Sequence, residues 1–161
     1  MTDSDTSTAP GSILLFNRPR GLSWVISLLT RSPYYHVAIA LNEAELIEAM
    51  PSGVTLTTMA KKNEPFLVIP PPSKEAASAA TKWAKAKIGD GYDPEDLLAI
   101  ACDRIFGHLH IFLARKNRFT CGEFVATAYK EAGIKLIPKI RLEDTEPADF
   151  ARLLSKRTRQ A

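Results

Sequence analysis

The first half of the chain is divided into short apolar segments by turn residues. The segments are residues 11–16, 34–41, 45–49, 54–58 and 66–70. Runs of this length, rich in β-branched and aromatic residues and bounded by Gly, Pro or Asn, are typical of strands. The link between 41 and 45 is so short that it predicts antiparallel pairing. Between the first two strands, apolar residues of 22–30 recur at helical spacing and predict a helix.

The second half of the chain follows the helical period instead. Residues 73–88 give the clearest helix, capped by Ser73 and ended by Gly89. Further helices are predicted over 95–105, after Thr120 and after Thr145. The segment 136–142, interrupted by Pro138, is predicted to be extended. Strands first and helices afterwards predict an α+β fold in which an antiparallel sheet packs against helices.

The length of 161 residues suits one domain with a substantial core. Residues 1–10 have the composition of a disordered leader, 11–155 that of a single domain, and 156–161 that of a basic tail. The net charge of +3 is too small to indicate a nucleic-acid partner. Basic clusters such as Lys61–Lys62 are typical of solvated faces.

The composition of the N-terminal residues and the number of cysteines indicate the cellular compartment. The first ten residues are polar and acidic, without the basic and apolar regions of a secretory signal, and the chain holds 2 cysteines. Free thiols and no signal predict a cytoplasmic protein, with release by another route left open. The apolar run 22–29 is too short to span a bilayer, and Trp24 is expected in the core, the alternative being a membrane-facing patch.

Cys121 falls at the start of a predicted helix. Thr120 is a good N-cap, and Glu123 stands three residues on, which is the capping-box pattern. Backbone N–H groups are unpaired in the first helical turn and the helix dipole is positive there. This environment favours thiolate over thiol, so Cys121 is a candidate nucleophile.

A base and an orienting carboxylate can be placed by the predicted hairpin. His36, Ala38 and Ala40 share one face of their strand, and these small residues leave room for a helix N-terminus. The turn at 42–44 places Glu48 opposite the 36–38 region on the same face. An acidic residue inside the apolar segment 45–49 needs a partner, which His36 would supply. Cys121, His36 and Glu48 together would form a triad.

The order of these motifs resembles the circularly permuted papain-like hydrolases. The motifs are Ser-Pro-Tyr-Tyr-His-Val-Ala-Ile (32–39), Ile-Glu-Ala-Met-Pro-Ser-Gly-Val (47–54), Gly-Asp-Gly-Tyr-Asp (89–93) and Thr-Cys-Gly-Glu-Phe-Val (120–125). This is the permuted branch of the NlpC-type superfamily, the YiiX-like group, with lecithin-retinol acyltransferases as distant relatives. The likeness covers roughly residues 11–154, and in that branch the histidine precedes the cysteine.

The resemblance implies a permuted papain-like fold and assigns roles. Cys121 looks like the nucleophile, His36 the general base and Glu48 the residue that orients His36. Tyr92 matches the tyrosine of a Gly-x-x-Tyr-Asp element, and we expect Tyr92, Tyr35 and Thr120 to contact substrate. Two positions depart from the pattern: Gly122 stands where serine is common, and Thr120 where an aromatic residue or serine is frequent.

The activity implied is that of a cysteine peptidase or amidase. It would cleave an amide (peptide) or ester bond through a thioester, with a peptide, amide or acylated compound as substrate and no cofactor. Two alternatives stay open: an acyltransferase, and a non-catalytic module of the same fold that binds peptide or lipid.

Simpler interpretations exist for single residues. A lone cysteine on an apolar helix is often a buried small hydrophobe, and Cys102 is predicted to be one. Cys102 and Cys121 could also form a redox pair. His108 and His110 do not stand at a usual zinc spacing from the cysteines, so no metal site is predicted.

Overall fold

The computed structural model describes residues 8–17, 32–62, 64–92 and 118–158. The predicted helices at 22–30 and 95–105, and with them Trp24, Cys102, His108 and His110, lie outside these ranges. The described elements, in chain order, are β1 (Ile13–Phe16), β2 (His36–Ala40), β3 (Glu45–Met50), β4 (Gly53–Thr58), α1 (Met59–Lys62), β5 (Phe66–Ile69), α2 (Lys74–Ala86), β6 (Gly91–Tyr92), β7 (Arg118–Phe119), α3 (Cys121–Glu131) and α4 (Pro147–Thr158).

Five strands form one antiparallel sheet in the order β4-β3-β2-β1-β5. Strands β1 to β4 lie side by side in chain order, and β5 returns to pair with the free edge of β1. Each corresponds to a predicted strand, and the predicted α+β class is confirmed. Among the described residues, no helix has the length and apolarity needed to cross a bilayer.

The central strands are buried on both faces, which explains why they are nearly continuous apolar runs. On one face of β2, Val37 and Ile39 belong to the same core cluster as Phe124 and Val125 of α3. On the other face, Ala38 and Ala40 pack with the side chains of Leu14, Phe16 and Leu46. Alternate residues of β2 therefore serve two separate apolar layers.

Two of the predicted helices, α2 and α3, begin at their predicted caps. The Ser73 side chain accepts a hydrogen bond from the Ala76 amide at the start of α2. The Thr120 side chain accepts one from the Glu123 amide, at 3.2 Å, at the start of α3. Farther along α3, the buried Tyr129 hydroxyl donates to the Gly11 carbonyl and ties this helix to the start of β1.

The predicted extended segment at 136–142 is wrong. These residues form turns and bends, in which the Ile140 amide donates to the Ile137 carbonyl. Pro138 has no amide to contribute to a ladder, and short-range bonds hold the turns that follow. The sequence pattern predicts neither helix α1 nor the parallel pairing of β6 with β7.

Gly122 marks a close approach between α3 and the segment that precedes α4. A Cβ placed on Gly122 would lie 1.9 Å from the Thr145 carbonyl oxygen and 2.7 Å from its carbonyl carbon. These are backbone atoms of a buried residue, so they cannot swing aside as a flexible side chain would. Gly122, a departure from the resembled pattern, therefore lets 145–146 pack on the first turn of α3.

We expect Gly122→Ala to lower the free energy of unfolding by about 1–3 kcal/mol, the usual cost of overpacking. Helix propensity alone acts in the opposite direction, because alanine favours a helix over glycine. Urea unfolding of the wild type and the variant measures the difference. An unchanged or higher stability of the variant would contradict the close contact.

Candidate active site

Cys121 is the first residue of α3, directly after the N-cap Thr120. It is 7% exposed and packs within the core cluster that joins α3 to the sheet. The first intrahelical hydrogen bond runs from the Phe124 amide to the Thr120 carbonyl, so the Cys121 amide precedes the helical ladder. The thiol therefore stands at the positive end of the helix dipole.

His36 is the first residue of β2 and is 6% exposed. Its ring lies beside the rings of Phe16, at 5.7 Å between centroids, and Tyr35, at 6.1 Å. Its Nε2 lies 2.6 Å from Oε2 of Glu48. Because Nε2 is engaged by Glu48, Nδ1 is the ring nitrogen left for Cys121, the other group that raises the pKa of His36.

Glu48 reaches His36 diagonally across the hairpin. Ile39 pairs with Ile47, and this register puts Glu48 opposite Ala38, at the far end of the predicted region. The Asn42 side chain accepts hydrogen bonds from the amides of Ala44 and Glu45 and so fixes the loop. Diagonal neighbours on one face are within reach of long side chains, so the carboxylate meets the imidazole.

Helix α3 does not lie over the face that carries His36, as the small residues of that face had suggested. It packs against the Val37 and Ile39 face, because those larger side chains need an apolar cover. His36 and Cys121 each stand at the first residue of their element, and they meet at that end. The later residues of the helix therefore pack in the hydrophobic core, while its first residue reaches the imidazole.

The partners of His36 hold it in the charged form. Burial by itself lowers the pKa of His36, but the hydrogen bonds to Cys121 and Glu48, and the negative charges of both groups, raise that pKa from 6.5 to about 9. The imidazole is therefore an imidazolium at neutral pH, flanked by a sulfur on one side and a carboxylate on the other.

Glu48 has a second cationic partner that the sequence did not reveal. Nζ of Lys62, from α1, lies 2.7 Å from the same Oε2 atom that meets His36. Burial raises the pKa of Glu48, but the hydrogen bonds and charges of His36 and Lys62 lower it from 4.5 to about 2. The interpretation of Lys61–Lys62 as a solvated cluster is wrong for Lys62, whose side chain is 12% exposed. The available signal was Glu48 itself, since a carboxylate in an apolar strand needs cations.

The three residues expected to contact substrate are placed differently from one another. Tyr35 lies beside His36, and its hydroxyl donates to the Glu64 carboxylate. Thr120 is buried and its side chain caps α3. The backbone of Tyr92 pairs with that of Phe119, which is close to Cys121 in sequence. The side chain of Tyr92 is not among those that the structure describes. Their contact with substrate stays a prediction.

No group of three or more His, Cys, Asp or Glu side chains in the described ranges is placed to hold a metal ion. His108, His110 and Cys102 fall outside those ranges. The cluster described above consists of a thiol, an imidazole, a carboxylate and an ammonium group.

The opposite pKa shifts of His36 and Glu48 predict a pH window for stability. The raised pKa of His36 contributes stability that is complete below its unfolded value of 6.5 and is lost as pH rises through about 9. The lowered pKa of Glu48 contributes stability that is complete above 4.5 and is lost as pH falls through about 2. Both contributions are complete only between pH 4.5 and 6.5.

We expect Glu48→Gln to cost about 3 kcal/mol of unfolding free energy inside that window, the scale of breaking a buried ion pair. The cost should shrink on either side of the window. Urea unfolding at a series of pH values measures it, with Glu131→Gln, an exposed carboxylate of α3, as control. A cost that is the same at every pH would contradict the ion pairing of Glu48.

Comparison with models of known protein families and with curated proteins finds no match for this chain. The geometry and chemistry of the cluster, together with the motif order, therefore carry the functional argument.

Proposed function

We propose that the protein is a thiol hydrolase that cleaves an amide (peptide) or ester bond through a thioester on Cys121. One observation carries this proposal: the buried chain of side chains in which Cys121, His36 and Glu48 follow one another, contributed by α3, β2 and β3. A nucleophile, a base and a carboxylate that orients the base are the three parts of a catalytic triad.

The proposed fold is circularly permuted papain-like. The histidine strand precedes the nucleophile helix in the chain, an acidic residue follows on the neighbouring strand, and the helix packs on an antiparallel sheet. This arrangement supports the resemblance to the permuted NlpC-type hydrolases that the motif order first indicated.

In the first half of the proposed reaction, the Cys121 thiolate attacks the substrate carbonyl carbon. The charge that develops on the carbonyl oxygen would be met by the Cys121 backbone amide, at the positive end of α3. The imidazolium of His36 then gives its Nδ1 proton to the leaving amine or alcohol, and a thioester remains on Cys121. The high pKa of His36 suits this role, because the proton is already on the ring at neutral pH.

In the second half, neutral His36 takes a proton from water, which attacks the thioester. The carboxylic acid leaves and the thiolate–imidazolium pair is restored. Glu48 holds Nε2 throughout and fixes the ring so that Nδ1 faces the reacting atoms. If an alcohol or amine replaced water at this step, the same site would act as an acyltransferase.

The second candidate is a peptide- or lipid-binding module with an unused triad. The low exposure of Cys121 and His36 favours it, because a substrate carbonyl must reach the sulfur. The two candidates differ in whether the thiol reacts, which is measurable without knowing the substrate.

We expect iodoacetamide at pH 7 to label Cys121 at least about tenfold faster than Cys102, because a thiolate is the reactive form, whereas a cysteine that is buried as a small hydrophobe is inert. Peptide mass spectrometry of the labelled chain gives the rate at each cysteine. Cys102 serves as the reference inside the same molecule.

His36→Ala should slow the labelling of Cys121 and leave that of Cys102 unchanged, since the variant removes the cation beside one sulfur. Equal and slow labelling of both cysteines in the wild type would contradict the thiol hydrolase. A screen of peptide, amide and ester substrates against wild type and Cys121→Ala then identifies the scissile bond. Fast labelling without turnover of any substrate would favour the binding module.

A further inference from the structure

One oxygen of Glu48 is shared by two cations. Oε2 lies 2.6 Å from Nε2 of His36 and 2.7 Å from Nζ of Lys62. A triad requires only the first of these contacts. The second connects the site to α1, a four-residue helix that directly follows β4.

Lys62 is held in place and is not a solvated surface charge. Its ammonium group lies 4.9 Å from the centroid of the Phe16 ring, a cation–π distance. Phe16 is fully buried and stands opposite His36 in the pairing of β1 with β2. The same aromatic ring thus neighbours both of the cations that meet Glu48, whereas Lys61 is exposed.

The four side chains alternate in charge when Cys121 is a thiolate. The order is negative at Cys121, positive at His36, negative at Glu48 and positive at Lys62. With Lys62 the buried set is neutral overall; without it the set would carry one net negative charge. Burial penalises an uncompensated charge, so the three-member set would favour a neutral thiol or a neutral carboxyl group.

We propose that Lys62 is a positioning residue of this site, which acts through Glu48 to keep Cys121 ionised and His36 oriented. The inference rests on the proposed function, because it concerns the reactivity of the same thiol. Lys62 touches neither the sulfur nor a substrate in this role. It neutralises the carboxylate that would otherwise disfavour a second anion in the cluster.

Among the residues that the structure describes, the other charged groups near the cluster do not substitute for Lys62. His36 is affected by Cys121 and Glu48, and Glu48 by His36 and Lys62. Beside His36, the Tyr35 ring is followed by the Glu64 carboxylate, which accepts from the Tyr35 hydroxyl and adds negative charge. Lys62 is therefore the second cation of the described cluster, and its removal leaves negative charge in excess.

The direction of the effect follows from the sign of the charge removed. Loss of a nearby cation favours the protonated form of the groups that remain, so the pKa of His36 should rise, and alkylation of the Cys121 thiol should need a higher pH. We expect Lys62→Met, which keeps an apolar stem against Phe16, to shift the pH midpoint of Cys121 alkylation upward by about one unit. Lys62→Arg should keep the wild-type midpoint, and Lys61→Met is the matched control.

A second readout does not depend on the thiol reacting. The imidazole titration of His36, followed by proton NMR and assigned by its loss in His36→Gln, should move to higher pH in Lys62→Met and stay in place in Lys61→Met. If wild-type Cys121 labels no faster than Cys102, the proposed function fails, while the NMR titration still decides the role of Lys62. If Cys121 labels fast and Lys62→Met changes neither midpoint, the role of Lys62 alone is overturned.

Two further variants, in which Gln replaces Glu48, keep the test decisive if Lys62→Met does not fold. Glu48→Gln and the double variant Glu48→Gln/Lys62→Met bury no unpaired carboxylate. Because Lys62 compensates the charge of Glu48, we expect its removal to move the alkylation midpoint by less in the Glu48→Gln background than the shift of about one unit expected with Glu48 present. A difference between them as large as about one unit would show that Lys62 acts independently of Glu48 and would overturn the proposal.

Discussion

The site depends on the burial of one carboxylate. Glu48 is 2% exposed inside an apolar strand, where an ionised group without partners would cost several kcal/mol. Its burial is tolerated because His36 and Lys62 both reach the same oxygen. The register of β2 with β3 and the position of α1 after β4 are both needed for those contacts. The charge cluster therefore depends on how the sheet pairs, and the burial of Glu48 in the sheet depends on the charge cluster.

Cys121, the proposed nucleophile, is positioned by a different set of contacts, mostly apolar and steric. Phe124 and Val125 anchor α3 to the sheet, and the Tyr129 hydroxyl holds its later turns to Gly11. At the other end, Gly122 admits the backbone of Thr145 against the first turn. These contacts set the axial position of α3, and since Cys121 is its first residue, they also set the distance between sulfur and imidazole.

Local rules carried much of the prediction, and non-local contacts account for what it missed. The Thr120 cap and the alternation that puts His36 and Glu48 on one face follow from residues close in sequence. Lys62 lies beyond another strand, and its approach to Glu48 depends on where α1 lies relative to β3 after β4 ends. Strands β6 and β7 have two residues each, which is too short for an alternating pattern to appear in the sequence. Their pairing also joins Tyr92 to Phe119, which are far apart in the chain, so no local rule predicts it.

The chain order divides the site into two halves with different physical origins. His36, Glu48 and Lys62 all fall within one continuous stretch that forms β2, β3, β4 and α1, so the charged half is assembled by neighbouring elements. Cys121 arrives from a helix much later in the chain and joins that half only when α3 docks on the Val37 and Ile39 face. The ionic partners of the imidazole are thus positioned by hairpin register, whereas the thiol is positioned by core packing. A substitution in the core of α3 can therefore separate sulfur from imidazole while the contact between His36 and Glu48 stays intact.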